Sequence, residues 1–433
     1  MKKIIIGSIV LLAIAGIAVS AFLWLHKPQV ILLKDGTKLT LVGVTYGKHH
    51  APPKIKTAGT RNRGAGALDT ESNSIVVWIE SVSKKTGPNQ WPNYQLFVYD
   101  SEETACVTTW SRSGANEIKP GVYLQGFSLD AFPRWDRKII LRVGAWNNMG
   151  GGMQEAKGQF VISNPARVRS IAKWTPEPVP DTQSDGDLTV TLTKFNSGMP
   201  GFNSGRGVSS KDPMNKAVFT AFHCEQKGVA VTNWQVIRIE TSDAAGNHVQ
   251  NNSWSTSRDP NGDSTMTYQY GLWPGQSPWK LRVEMSQTAG FSDDQVWSVT
   301  NLPVNPGSQQ EMYNYNYGNS TRGTPPAFAE TTLNGIHLKI YTAIQFTNAN
   351  YGNGQKPGGF RVQADKPLDG MQLTLASAAD ENGRPVPYYE GNSWGGDSRQ
   401  IQLQNLRNAK SLNVTLALHK DRFVEFTATP AKP

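Results

Sequence analysis

Four stretches of the chain hold residue types that could do chemistry. Gly391-Asn392-Ser393-Trp394-Gly395 spells G-x-S-x-G, the pattern of a serine nucleophile on a sharp strand-to-helix turn. That chemistry needs a following helix and a histidine base, yet no helical pattern follows and the downstream histidine, His419, ends a strand-like run. Asp259-Pro260-Asn261-Gly262-Asp263 sets oxygen ligands at alternate positions, as a calcium loop does. Ser264 stands where that loop needs glycine and Tyr270 where it needs a bidentate glutamate, so a plain turn is expected. Asp185-Gly186-Asp187 is a weaker version of the same pattern. His49-His50 could ligate a metal, but neighbours on a strand point to opposite faces, and no Cys or His lies at zinc-like spacing from them. No set of residues meets the requirements of a catalytic site. No enzymatic activity, metal or cofactor is expected.

Charge offers a second kind of chemistry. The formal charge is +9, and +6 of it lies outside the first 27 residues. Lys48, Lys54, Lys56, Arg61 and Arg63 crowd one loop without an acid among them. Such a loop is either ordinary solvated surface or a contact for an anionic lipid headgroup or an acidic wall polymer. Its aromatics are not interleaved with the cations, so nucleic acid is not expected. The 13 tryptophans also have two readings. Exposed rings make platforms for sugars, with Tyr313, Tyr315 and Tyr317 as further candidates, whereas rings within strand-like runs fill sandwich cores. Core packing is expected of Trp110, Trp254, Trp279 and Trp394, as of Trp78, Trp234 and Trp297.

The elements that must position these residues repeat three times. Tyr94-Gln95, Trp234-Gln235 and Met371-Gln372 each open a strand-like run, and Trp110, Trp254 and Trp394 each follow a Ser or Thr after a polar turn. Leu141-Arg142-Val143, Leu281-Arg282-Val283 and Leu412-Asn413-Val414 recur downstream. Short alternating runs separated by Gly, Pro, Asn and Ser read as strands, and Asp35-Gly36 reads as a hairpin turn. Gly (41) and Pro (26) are mildly abundant, which points to many turns. Of the two cysteines, Cys106 falls in the first repeat and Cys224 in the second, so no sandwich-pinning disulfide is expected.

Ile4 to Leu25 is an apolar run of 22 residues behind Lys2 and Lys3. As a helix it spans roughly 30 Å, the thickness of a bilayer core, with the lysines cytoplasmic. A cleaved signal peptide is the alternative, with small residues at Val19-Ser20-Ala21. The expected layout is an anchor or leader over 1–27, a β-sandwich over 30–164, and a proline-rich linker over 165–187. A second sandwich over 188–303, a Tyr/Asn/Gly-rich connector over 304–330 and a third sandwich over 331–433 follow. With polar, extended linkers the three should melt almost independently.

Leu272-Trp273-Pro274-Gly275, Trp279 and Leu281-Arg282-Val283 resemble the passage between the fifth and sixth strands of fibronectin type III and related immunoglobulin-like domains. Trp279 stands one residue away from the place of that family's tyrosine. The wider layout is similar to uncharacterised bacterial surface proteins whose exported part begins with an Asp-Gly-Thr hairpin. The resemblance implies an all-β chain of three tandem immunoglobulin-like antiparallel sandwiches behind a single transmembrane helix, with the body extracytoplasmic, and it transfers no activity. The expected function is a binding or spacer module of the cell envelope. A carbohydrate or wall binder using exposed aromatics, and a hydrolase on a β-scaffold, are the alternatives.

Overall fold

A computed structural model describes residues 29–53, 67–83, 94–101, 105–109, 116–146, 153–200, 216–252, 255–268, 272–273, 278–308, 326–347, 356–368, 370–389 and 398–431. The described chain is all-β, in several largely antiparallel sheets. Trp110, Trp254 and Trp394 lie outside the described residues, as do Lys54, Lys56, Arg61 and Arg63. Among the described residues no helix is long and apolar enough to cross a membrane. The single-pass anchor and the extracytoplasmic location built on it are corrected accordingly. The run Ile4–Leu25 lies outside the described residues, and length with hydropathy alone is shared by a spanning helix and a leader.

The first sandwich holds β1 (Val30–Leu32), β2 (Lys38–His50), β3 (Leu68–Val82), β4 (Tyr94–Tyr99), β5 (Ala105–Thr109), β6 (Asn116–Lys119), β7 (Val122–Leu129), β8 (Lys138–Trp146) and β9 (Met153–Ser163). One sheet runs β1-β2-β3-β7-β6 and the other β5-β4-β8-β9. Alternation buries Ile75, Val77 and Ile79 of β3 against Leu96 and Val98 of β4 and Leu141 and Val143 of β8.

Next come β10 (Asp181–Asp185), β11 (Leu188–Pro200), β12 (Lys216–Gln226), β13 (Val229–Ala230), β14 (Trp234–Asp243), β15 (His248–Asn252), β16 (Ser255–Arg258), β17 (Ser264–Tyr268), β18 (Trp279–Gln287) and β19 (Val296–Gly307). The rest are β20 (Ala329–Leu333), β21 (Ile336–Ile340), β22 (Ala343–Phe346), β23 (Gly358–Ala364), β24 (Met371–Asp380), β25 (Tyr388–Tyr389), β26 (Ser398–Leu403), β27 (Ser411–Lys420) and β28 (Arg422–Ala428). The second sandwich repeats the strand order of the first, with β10-β11-β12-β17-β16 facing β15-β14-β18-β28. In the third, β20-β21-β23-β26-β25 faces β24-β27-β19.

These pairings correct the expected boundaries. β28, read as the end of the third unit, pairs antiparallel with β18 from Trp279↔Ala428 to Met285↔Arg422. β19, read as the end of the second unit, pairs with β27 from Val296↔Ala417 to Pro303↔Ser411. The 165–187 linker is shorter than expected, because Asp181–Asp185 forms a hairpin with β11. The 304–330 connector likewise yields Val304–Gly307 to β19. Strand pairing is chosen by whichever edge the chain can reach, and one local run of alternating residues cannot report that choice.

Each sandwich begins with a hairpin whose turn needs a left-handed glycine: Gly36 (φ 83), Gly186 (φ 62) and Gly335 (φ 71). Asp35 was legible as such a turn, and its carboxylate accepts the Thr37 N–H at 2.9 Å.

The sandwiches are not independent beads. Buried side chains of the first and second form one continuous apolar cluster, while the third has its own. At the joint, Phe132 N and Arg134 Nε both donate to Asn247 Oδ1, at 3.1 and 3.0 Å. Asn247 Nδ2 donates to Asp243 Oδ2 at 2.7 Å, and Trp135 meets Trp273 edge-on with centroids 6.0 Å apart. Even the linker is docked, with Glu177 N bonded to Thr427 O and Lys280 over the Trp174 ring. The expectation of independent melting is therefore corrected.

Two outcomes follow. Trp279, fully buried against Phe195, should cost about 3–5 kcal/mol on change to Ala, read from denaturant unfolding. Asn247→Ala removes the Nδ2 donor from buried Asp243 Oδ2 and the acceptor of the Phe132 N–H, at a cost of about 1–3 kcal/mol. Calorimetry should then resolve the first sandwich as a separate transition.

Candidate functional site

The basic loop is the connection between β2 and β3, and its two ends are held by an unusual amount of buried polar structure. β2 carries register shifts at Leu41/Gly43 and at Gly47/His49, so it bends twice before the loop begins. Gly47 takes φ 136 at the second shift, a conformation that disfavours a side chain. His49 and His50 then point opposite ways, as strand geometry requires. His49 Nδ1 meets Asp69 Oδ1 at 2.7 Å in the open, with side chains 86% and 74% exposed. A pair so well solvated adds little stability.

His50 is fully buried. Its Nδ1 lies 2.9 Å from Thr45 Oγ1, and its Nε2 lies 3.3 Å from Thr70 Oγ1 and 3.4 Å from Ser74 Oγ. Trp78 Nε1 donates to Thr45 Oγ1 at 3.4 Å. Ser128 Oγ stands 3.4 Å from Ser74 Oγ and donates to Asp130 Oδ1 at 2.7 Å. One consistent proton arrangement runs from Trp78 through the Thr45 hydroxyl to His50 Nδ1, leaving the ring proton on Nε2. Burial holds the His50 imidazole below its ordinary pKa, in keeping with a neutral ring.

Around this polar cluster lies a small apolar one on the outer face of the sheet, with Val76, Trp78 and Leu124 buried and Val42, Leu68 and Ile118 beside them. A Cβ on Gly126 would meet Leu68 Cδ1 at 2.8 Å and the Trp78 ring at 3.0 Å, so only glycine lets these side chains lie flat on β7. The loop ends are thereby clamped to the sheet, and exposed Lys48 projects from the clamp. Thr45, Thr70, Ser74 and Ser128 come from three strands. No spacing in the sequence announces them, and His50 was the one member that drew notice.

The hydrolase alternative asked for a serine beside a histidine, and Ser74 with His50 is such a pair. Two features set it apart from a triad. Both groups are fully buried. The group orienting His50 is a threonine hydroxyl where a triad has a carboxylate. The G-x-S-x-G serine, Ser393, lies outside the described residues.

The other candidates resolve into structure. Asp259 accepts the Asn261 and Asp263 N–H groups at 2.8 and 3.1 Å, closing the β16–β17 turn on itself. Asp263 accepts from Thr193 and pairs with His223 Nδ1 at 3.0 Å. Among the described residues no group of three or more His, Cys, Asp or Glu side chains is disposed to hold a metal. Cys224 is a free, buried thiol pushed up to about 12 by burial, the environment of an inert packing group. Trp78, Trp234, Trp273 and Trp279 are at most 3% exposed and offer no face to a sugar. Comparison with protein-family models, curated proteins and solved structures yields no match to the chain.

Because His50 is held below its ordinary value, the unfolded chain binds its proton more readily than the native one. Stability from this group is present above about pH 6.5, the ordinary imidazole value, and is lost as pH falls below it. His50→Gln should flatten that part of the urea-midpoint profile between pH 7 and 5. His419, lowered to about 4 by burial, should still contribute a slope.

Proposed function

We propose that this chain is a non-catalytic binding or spacer module of three immunoglobulin-like sandwiches, and that the clamped base of the β2–β3 loop presents its contact surface for an acidic polymer. What supports the immunoglobulin-like reading is the strand order. Leaving aside the leading hairpin strand β1, the first sandwich sets its first, second, sixth and fifth strands in one sheet. The remaining four form the other, which is the arrangement of immunoglobulin-type sandwiches with one added edge strand. The Leu272-Trp273 segment that carries the resemblance in sequence lies buried beside that core.

The observation behind the contact surface is the His50 cluster. A solvated loop needs no buried network at its root, since each buried polar group must recover its lost hydration through hydrogen bonds. Here four such groups, His50, Thr70, Ser74 and Ser128, are spent on fixing where the chain leaves β2 and re-enters β3. From that fixed base Lys48 and His49 project, and the connecting sequence adds Lys54, Lys56, Arg61 and Arg63 without an acid. A rigidly based surface where cations predominate, with Asp69 beside His49 as an acid at its edge, suits a polyanion, whose binding depends on charge density more than on shape. The sugar-platform alternative loses support because Trp78, Trp234 and Trp279 are committed to packing, while Trp297 is half-buried against the third core.

Changing Lys54, Lys56, Arg61 and Arg63 together to Gln tests this. At about 0.3–0.5 kcal/mol for each exposed charge, the loss of affinity for a carboxylated polysaccharide should reach roughly tenfold at low salt. It should shrink as added salt shortens the screening length, and thermal stability should stay unchanged. Equal binding by variant and wild type at low ionic strength would sink the proposal.

A further inference from the structure

The first sandwich closes in the simplest way. Its last two strands, β8 and β9, are joined by Asn147-Asn148-Met149-Gly150-Gly151-Gly152 and pair as a hairpin up to Trp146↔Met153. By strand order β18 and β27 are the counterparts of β8, so a plain tandem array would pair β18 with β19 and β27 with β28. Neither pair forms. β18 takes β28, and β27 takes β19. We propose that the second and third sandwiches have reciprocally exchanged their closing strands, making the C-terminal strand a latch that completes the sandwich begun at Asp181.

Three observations carry this. The first is equivalence of the exchanged strands. β9, β19 and β28 each run to a proline at or just past the end of their antiparallel pairing: Pro165, Pro303 and Pro430. After that proline both exchanged strands cross to the opposite sheet and add there in parallel. Val304–Gly307 lies along Ala343–Phe346. Ala431 bridges Asn196 in parallel, its N–H on Phe195 O at 2.9 Å and its carbonyl on Ser197 N at 3.1 Å. Inside their sandwiches, Val424 and Phe426 fill the second core as Phe160 and Ile162 fill the first.

The second observation is the link. Only Asp421 separates β27 from β28. A hairpin needs at least two loop residues, usually with positive φ, and Lys420-Asp421 has no glycine or asparagine to take it. Asp421 is instead buried, its N–H on Gly370 O at 3.1 Å. His419 before it is buried against the Phe291 ring, centroids 5.0 Å apart. β18 and β19 are separated by eight residues, Thr288–Gln295, with Gly290 at φ 74. That segment is long enough for a hairpin, so the short link is what forces the exchange.

The third is a clamp on the incoming strand. The Asp185-Gly186-Asp187 turn receives the first residues of β28. Arg422 Nη1 and Nη2 lie 3.6 and 3.3 Å from Asp185 and Asp187, and Phe423 N donates to Asp185 Oδ2 at 3.0 Å. A Cβ on Gly186 would come within 3.0 Å of the Arg422 guanidinium. The acidic turn that resembled a weak calcium loop is thus shaped around this strand.

Cysteine pairs that face each other only after exchange provide the test. In full-length chain carrying Cys106→Ser and Cys224→Ala, one pair is Arg282→Cys with Glu425→Cys and the other Ser298→Cys with Thr415→Cys. Both sets are ladder partners with outward side chains. Both disulfides should form within one chain, mapped by peptide mass on a monomer. A plain tandem array would give neither, and cross-links confined to dimers would move the exchange between copies; either result overturns the proposal. Hydrogen exchange on Phe426→Ala needs no cysteine background. Amide protection in Leu188–Phe195 and Trp279–Gln287 should fall by at least about tenfold while that in Met371–Asp380 holds. Loss confined to Met371–Asp380 would also overturn it.

Discussion

The ladder between Trp279–Gln287 and Arg422–Ala428 is the constraint on which the rest of the molecule depends. Without β28 the second sandwich would expose the edge of β18 and lose Val424, Phe426 and Ala428 from its core. An open, apolar edge strand is an aggregation hazard as well as a loss of buried area. The same ladder fixes β27 to the second sandwich through a single residue and so ties the third to it. The joint between the first two sandwiches reaches the same end by other means, with one buried asparagine accepting two donors from across the boundary.

Buried polar groups mark the places where conformation is specified most tightly. At the β2–β3 root the described contacts around His50 give every member a partner. Where the chain passes from the third sandwich into the second, Asp421 lies buried beside Glu284. Burial and the neighbouring carboxylate push its carboxyl well above the usual carboxylate range. The shift favours the protonated form, which eases the repulsion that two charged carboxylates would exert there. Arg238, paired with Glu284, supplies the balancing charge. Both regions place costly groups inside a protein, and in both the result is a unique path for the backbone rather than a reacting centre.

This pattern also explains why residues with catalytic or metal-binding spacing do not form such sites. Asp259 is used up by the amides of its own turn, and Asp185 and Asp187 by Arg422 and its neighbour. His50 is spent on three hydroxyls. In a strand-rich chain with many tight turns, Asp, Asn, Ser and Thr are needed first to satisfy backbone and bulge geometry. Among the described residues at the start of the basic stretch, Lys48 and His49 remain outward.

Much of this was legible in the residues themselves. Alternation of apolar and polar positions specifies strands, because a pleated strand sends successive side chains to opposite faces. Asp35-Gly36 specifies a turn, because glycine alone enters the left-handed region freely. The threefold recurrence of Gln-opened strands and of Leu141, Leu281 and Leu412 with their neighbours reflects three sandwiches with the same internal pairing, and His49 and His50 had to diverge on any strand. Partnership between distant segments was not legible. Thr45, Thr70, Ser74 and Ser128 meet His50 only because β2, β3 and β7 lie side by side. The closing strands read alike in all three units, so nothing local told β19 from β28 as the proper neighbour of β18. A single residue between Lys420 and Arg422 decided it, since a chain too short to turn must run straight on into the next sandwich.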